Sequence, residues 1–427
     1  MGLPDRKDVP VQQTWDVGIL YENDDAWQKD IEAEKKALAD FSKYDQKLND
    51  PETIIAALED LGKMEVRMDL LGHYGFLQQS TDMTDPHYNQ LLRILDQLEA
   101  DYNAELAKYR AQIMDNDNET LDAVSDKRPD LGAAIREFKR IKKHRLSSEV
   151  ESALSSIEPT LSSFEGIYTT CRAADMSFPD FEVDGKTYPL SFVLYENSYQ
   201  YNPDHKLRHA AFKAFSKVLN QYKNTVAANY YAQVSKEKNM ATLRGYDSVF
   251  DYLLDDQEVP REFFDRQIDV IIEKLGPVMQ KYVKLIQKER GLDKLTFSDL
   301  QIDLDPEFAP KVPLDKAPEY ISDAIKVLGP KYHDMIMKCF DERWVDSPAN
   351  KGKETGGFET TPYGKHAYIL MSWTDEMADV YTLVHELGHA GQEMLTNKTN
   401  HPLSCGVSTY IVEAPSTFNE LLLTHAL

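Results

Sequence analysis

His385-Glu386-Leu387-Gly388-His389 is the stretch on which the reading of this chain turns. Apolar residues at Met377, Val380, Leu383, Val384 and Leu387 repeat with a helical period, and Thr374-Asp375 supplies an N-cap. A helix is therefore predicted through the motif. On that helix the two histidines lie one turn apart, about 40° in azimuth, so both imidazoles can reach one metal ion. Glu386 follows His385 directly, where its carboxylate can reach a water on that metal without ligating it. The competing reading is an incidental pair of surface histidines. The apolar neighbours Leu383, Val384, Leu387 and Ala390 weigh against it. A buried His-Glu-His cluster without a partner is costly, and a metal satisfies it.

Two protein ligands underfill a catalytic zinc, which usually takes three plus water. Downstream, Tyr410-Ile411-Val412-Glu413-Ala414-Pro415-Ser416-Thr417-Phe418-Asn419-Glu420 offers Glu413 in an apolar setting. Pro415 suits the first turn of a helix and puts Glu413 near its start. Glu420, about two turns on, falls on roughly the same face and is better placed behind a ligating histidine than on the metal. His401, flanked by Asn400 and Pro402 in a predicted loop, is the rival third ligand.

Outward from the motif, helical patterning dominates. Tyr21–Met114 reads as two or three long antiparallel helices, broken at Asn49-Asp50-Pro51 and at Asp82-Met83-Thr84-Asp85-Pro86. Asp115-Asn116-Asp117-Asn118-Glu119 reads as a polar hinge. Helical patterning then continues to about Arg172. Asp184-Gly185, inside Phe181–Tyr188, is a hairpin signal. Helices resume over 203–254 and 260–290. Residues 295–313 and 350–373 are loop-rich, and Ala367–Trp373 is the best single strand. Three segments follow from this pass: a helical arm at 1–115, a helical region with the hairpin at 116–202, and the motif-bearing part at 203–427.

Composition narrows the function classes. Hydrophobic residues make up 42% of the 427, with 23 Tyr and 17 Phe, enough for a large core. The net charge of −24, from 72 acidic and 48 basic residues, repels nucleic acid and anionic lipid. Phe138 is the only Phe, Tyr or Trp in the basic run Arg136–Arg145, so the run reads as a solvated helix face rather than a base-stacking surface. Cys171, Cys339 and Cys405 lie far apart, arguing against a disulfide framework or a cysteine metal site. Neither a signal peptide nor a membrane span is predicted, and a cytoplasmic location is expected.

His385–His389 together with Glu413–Glu420 resembles the oligoendopeptidase F branch of the M3 (thimet-type) oligopeptidases. The likeness extends to Tyr363–Trp373 and to the opening Val9–Asp16, and so covers essentially the whole chain. It implies a mainly helical, zincin-type metallopeptidase fold with a small β element beside the site and a deep channel admitting short unfolded peptides. It implies one zinc ion held by His385, His389 and Glu413, with Glu386 as general base. Oligopeptides would be the substrates, and Ala367–Trp373 an edge strand for their backbones, with plain core packing of this apolar strand as the alternative. Two departures stand out. Gln392 occupies the place where many relatives carry a further His. Family members also continue past Leu427 with a His and tyrosines that steady the oxyanion, so the chain is expected to be a fragment. A metal-binding but catalytically silent module, or a metal-free helical interaction protein, are the alternatives.

Overall fold

The computed structural model describes residues 3–305, 308 and 310–427. Two compact units emerge: Met1–Lys143 with Pro310–Leu427, and His144–Ala309. Asp115-Asn116-Asp117 forms a turn inside the first unit, before the helix Asn118–Lys127, and Asn116 Nδ2 donates to Leu48 O at 2.7 Å.

In the unit His144–Ala309, β1 (Phe181–Val183) and β2 (Lys186–Tyr188) form the expected hairpin. Asp184 (φ 48°) and Gly185 (φ 76°) both take left-handed backbone, as a two-residue I′ turn requires. A 39-residue helix, His205–Leu243, starts where the Asp204 side chain accepts from Lys206 N. It packs Leu207, Ala211 and Phe215 against Phe181, Tyr195 and Tyr199. On the same helix Arg208 is fully buried and pairs with fully buried Asp299 at 2.5 Å. Burial alone would raise the Asp299 carboxyl, but its bonds from Arg208 and Thr296 outweigh that and hold it at about 2.

In the other unit the Asp-Pro breaks act as expected. Asp50 and Asp85 cap the helices Pro51–Thr81 and Pro86–Met114, each with Pro at the first position. With Asp24–Asp40 they enclose a core that includes Trp27, Ile31, Leu58, Leu71, Leu98 and Tyr109. A three-stranded sheet of β3 (Val345–Asp346), β4 (Phe358–Thr360) and β5 (Tyr368–Leu370) has the order β3-β5-β4. β5 runs parallel to β3 and antiparallel to β4.

Period-2 alternation along β5 feeds two cores. Tyr368 and Leu370 join the core of the N-terminal helices, while Ala367, Ile369 and Met371 join a second core with Val380, Leu383, Val384 and Leu387. That double burial corrects one expectation. The strand in Ala367–Trp373 is central and not an edge; the edge next to it is β4. The physical reason is legible in the residues, since an edge strand rarely buries both faces completely, as Tyr368, Ile369 and Leu370 do.

The opening segment is fastened to this sheet by charge. Arg6 and Lys353 both pair with buried Asp346, at 2.5 and 2.7 Å. Nearby, Arg343 donates to the carbonyls of Thr14 and Trp15. No helix among the described residues is long and apolar enough to cross a membrane.

Removing the Asp299 charge leaves Arg208 buried and unpaired. Asp299→Asn is expected to cost about 3–5 kcal/mol, read as a lower denaturant midpoint. Because the folded carboxyl sits below its unfolded value, its contribution is present above the normal carboxylate range and lost as pH falls toward about 2. The acid-side fall in stability should therefore be shallower in Asp299→Asn than in the parent.

Candidate functional site

The motif lies on the helix Met377–Thr399, the motif helix. Its cap is Glu376, one residue past the expected Thr374-Asp375, with a reciprocal bond to Asp379. Asp375 takes left-handed backbone (φ 61°) to turn the chain, so the cap moves beyond it. Thr374 instead donates its N–H to Asp379 at 2.8 Å. A second helix, Glu413–Ala426, begins at Glu413 as the Pro415 argument required; we call it the closing helix.

Gly388 lets these two helices meet. A methyl there would lie 2.6 Å from Ser416 Cα and 2.7 Å from Pro415 O, both backbone atoms. Beside this contact, buried Asn419 donates from Nδ2 to Val384 O at 3.0 Å. The register brings Glu413 Oε2 to 3.2 Å from His385 Nε2 and 3.3 Å from His389 Nε2. The imidazole planes stand 75° apart with centroids 5.0 Å apart. One donor atom from each of His385, His389 and Glu413 lies within 4.8 Å of the others. Two imidazole nitrogens and one carboxylate oxygen are a donor set that suits a divalent transition metal.

Surrounding groups orient these atoms. His385 Nδ1 lies 2.6 Å from Glu420 Oε1. A carboxylate only accepts, so Nδ1 donates to Glu420, and Nε2 is the nitrogen that faces Glu413 and would face a metal. Ser416 Oγ donates to Glu413 Oε2 at 2.8 Å, and that bond leads the causes that hold the Glu413 carboxyl below its usual value. Burial pushes His389 down, favouring the neutral form a metal needs. Glu386 is buried, and burial, with a smaller push from Glu413 against a pull from His385, raises it to about 7. Its Oε1 would lie 3.8 Å from a methyl at Gly357, the residue before β4, so the edge strand passes beside it.

His401 lies elsewhere. Its ring packs on Gly62, and Nδ1 accepts from Leu403 N, so it is not part of the group. Gln392 brings no ligand, and its Oε1 is buried without a hydrogen-bond partner. Sequence reasoning missed Ser416 and Asn419. Ser416 could have been found from its position three residues after Glu413, on the same helical face. Asn419 is significant only through Val384 O, which no local pattern encodes.

A family model described as "Peptidase family M3" matches residues 198–427, more than half of the chain. The chain belongs to peptidase family M3. A second model, "Oligopeptidase F", matches residues 112–178. Among relatives, Oligopeptidase PepF of Bacillus subtilis is 29% identical over 427 residues, 99% of this chain. The chain spans 63% of that relative's length. An Oligoendopeptidase F homolog of Borreliella burgdorferi is 26% identical over 99% of this chain and 71% of its own. Two solved structures share the fold. One is from Chlamydophila abortus, with TM-score 0.83 and 21% identity, covering 99% of this chain and 72% of that one. The other is oligoendopeptidase-F from Enterococcus faecium, with TM-score 0.63 and 20% identity, covering 94% and 67%. The M3 assignment agrees with the mainly helical fold and the resemblance read from His385–His389 and Glu413–Glu420.

Gly388→Ala should drive the two helices apart, because backbone cannot yield as a flexible side chain would. The expected cost is about 1–3 kcal/mol in chemical unfolding, typical of overpacking. A parent-like midpoint would show that the helices do not need this close contact.

Proposed function

We propose that this chain carries the metal centre of a zinc metalloendopeptidase that hydrolyses short unfolded oligopeptides. The reading rests on one observation: His385 Nε2, His389 Nε2 and a Glu413 oxygen converge, with Glu420 behind His385. Membership in family M3 favours peptides as the substrate class. His385, His389 and Glu413 would hold a single zinc ion. When bound, that ion supplies Lewis acidity, polarising the scissile carbonyl and bringing the pKa of a coordinated water to about 7.

The other roles belong to the chain's own side chains. Glu386, raised to about 7 in its buried setting, takes the proton of the attacking water and delivers it to the departing amine nitrogen. Glu420 keeps the His385 tautomer fixed throughout. β4, the sheet edge beside Glu386, offers its outer backbone groups to an extended peptide, in place of the central β5. No covalent acyl-enzyme is required. A cytoplasmic setting and a single zinc per chain belong to the same proposal.

Three substitutions test it by metal analysis of untagged protein and by cleavage of a quenched-fluorescent peptide. Glu386→Gln should retain zinc and lose cleavage by roughly 10²-fold or more, the scale of a removed general base; full activity would sink the assignment. Glu413→Ala should lose zinc; unchanged content would remove Glu413 from the ligand set. Glu420→Gln should weaken zinc binding by about 10–100-fold while leaving the fold intact.

A further inference from the structure

Residues 358–363 run between two helices that both reach them through ionisable side chains. Glu359 sits opposite Ile369 in the β4–β5 ladder, so its side chain points to the motif-helix face. Thr361 Oγ1 donates to Glu359 Oε1 at 2.5 Å, and Thr361 N donates to Glu393 Oε2 at 3.2 Å. Both carboxyls thus meet at one residue. Glu393 lies on the motif helix, about two turns after Glu386. Below it, Asn397 Nδ2 donates to Thr361 O at 3.2 Å.

Among the described residues His73 is the one cationic group that acts on this pair, and it acts on Glu393. Glu359 Oε2 is buried with no hydrogen-bond partner. No Lys or Arg acts on either carboxyl. Other charged groups face the pair from both sides. Glu386 lies on the motif helix and adds repulsion to Glu359. From Pro51–Thr81 come His73, with Nε2 2.7 Å from Thr360 Oγ1, and Asp69, which accepts from Tyr363 N and lies 3.2 Å from His73 Nδ1. His73 attracts the Glu393 charge and Asp69 opposes it. Burial first, and then the Glu393 charge, push the Glu359 carboxyl well above the normal range; burial also pushes Glu393 up. Two bare carboxylates here would be costly, whereas a proton on one removes a charge and turns the orphaned oxygen into a donor.

We propose that Glu359 and Glu393 hold one proton between them at neutral pH, and that this shared proton fastens edge strand β4 to the motif helix beside Glu386. They are positioning residues: no hydrogen bond or ion pair among the described residues joins them to His385, His389 or Glu413, and they act by fixing where the edge strand lies. Only their relevance to catalysis rests on the peptidase reading; the shared proton does not.

The test uses the full chain with ¹³C-labelled glutamate and difference infrared spectroscopy at about pH 7. A protonated-carboxyl C=O stretch beyond that of Glu386 is expected in the parent; this excess should be lost in Glu359→Gln and weakened in Glu393→Gln, where burial still acts on Glu359. Unfolded glutamates release their protons near 4.3, while the folded pair retains one. Parent stability should therefore fall as pH rises from about 5 to about 8, and the slope should be shallower in either variant. A band unchanged in both variants, or parallel stability slopes, overturns the proposal. Glu393→Gln and the parent spectrum still decide it if Glu359→Gln does not fold. Failure of the parent to cleave peptide would count against the peptidase reading and leave these two readouts intact.

Discussion

The contact at Gly388 is the constraint on which the candidate centre depends. Two histidines on one helix are ordinary, and a glutamate 24 residues later is a distant stranger. They become one donor set only because the closing helix presses its backbone against the motif helix at the residue without a side-chain carbon. Asn419 fixes the depth of that contact through Val384 O, and Ser416 fixes the Glu413 carboxylate once it arrives. Remove the close approach, and the charge pattern around His385 and His389 loses its origin.

The sheet supplies the second boundary of the site. β5 buries both of its faces and serves as a wall between two cores, which leaves β4 as the strand that borders Glu386. Its position is set by side chains from both neighbours: Phe358 packs on Phe76 at 5.1 Å, Thr360 meets His73, and Glu359 and Thr361 meet Glu393. Ionisable groups therefore meet this edge strand on both of its faces.

Much of this was legible in the sequence because its determinants are local. The spacing of His385 and His389, the Asp-Pro helix starts at Asp50 and Asp85, the Asp184-Gly185 turn and the Pro415 helix start all act within a few residues. What was not legible is non-local. The central place of β5 depends on β3 and β4 pairing from opposite sides, with β3 some 20 residues away. The return of Pro310–Leu427 to the N-terminal helices depends on Tyr368 and Leu370 finding partners such as Trp15. His401 had ligand chemistry but the wrong place, since its ring fills the space above Gly62. Asp375 took a left-handed turn that moved the cap to Glu376, a choice set by the chain's route and not by capping preference.

The central claim is that His385, His389 and Glu413 form one metal-binding set. Zinc K-edge X-ray absorption on the purified, zinc-loaded chain tests it most directly. The account predicts a first shell of nitrogen and oxygen only, near 2.0–2.1 Å, with multiple scattering from two imidazoles. A shell with one imidazole or none, or one containing sulfur, would contradict it.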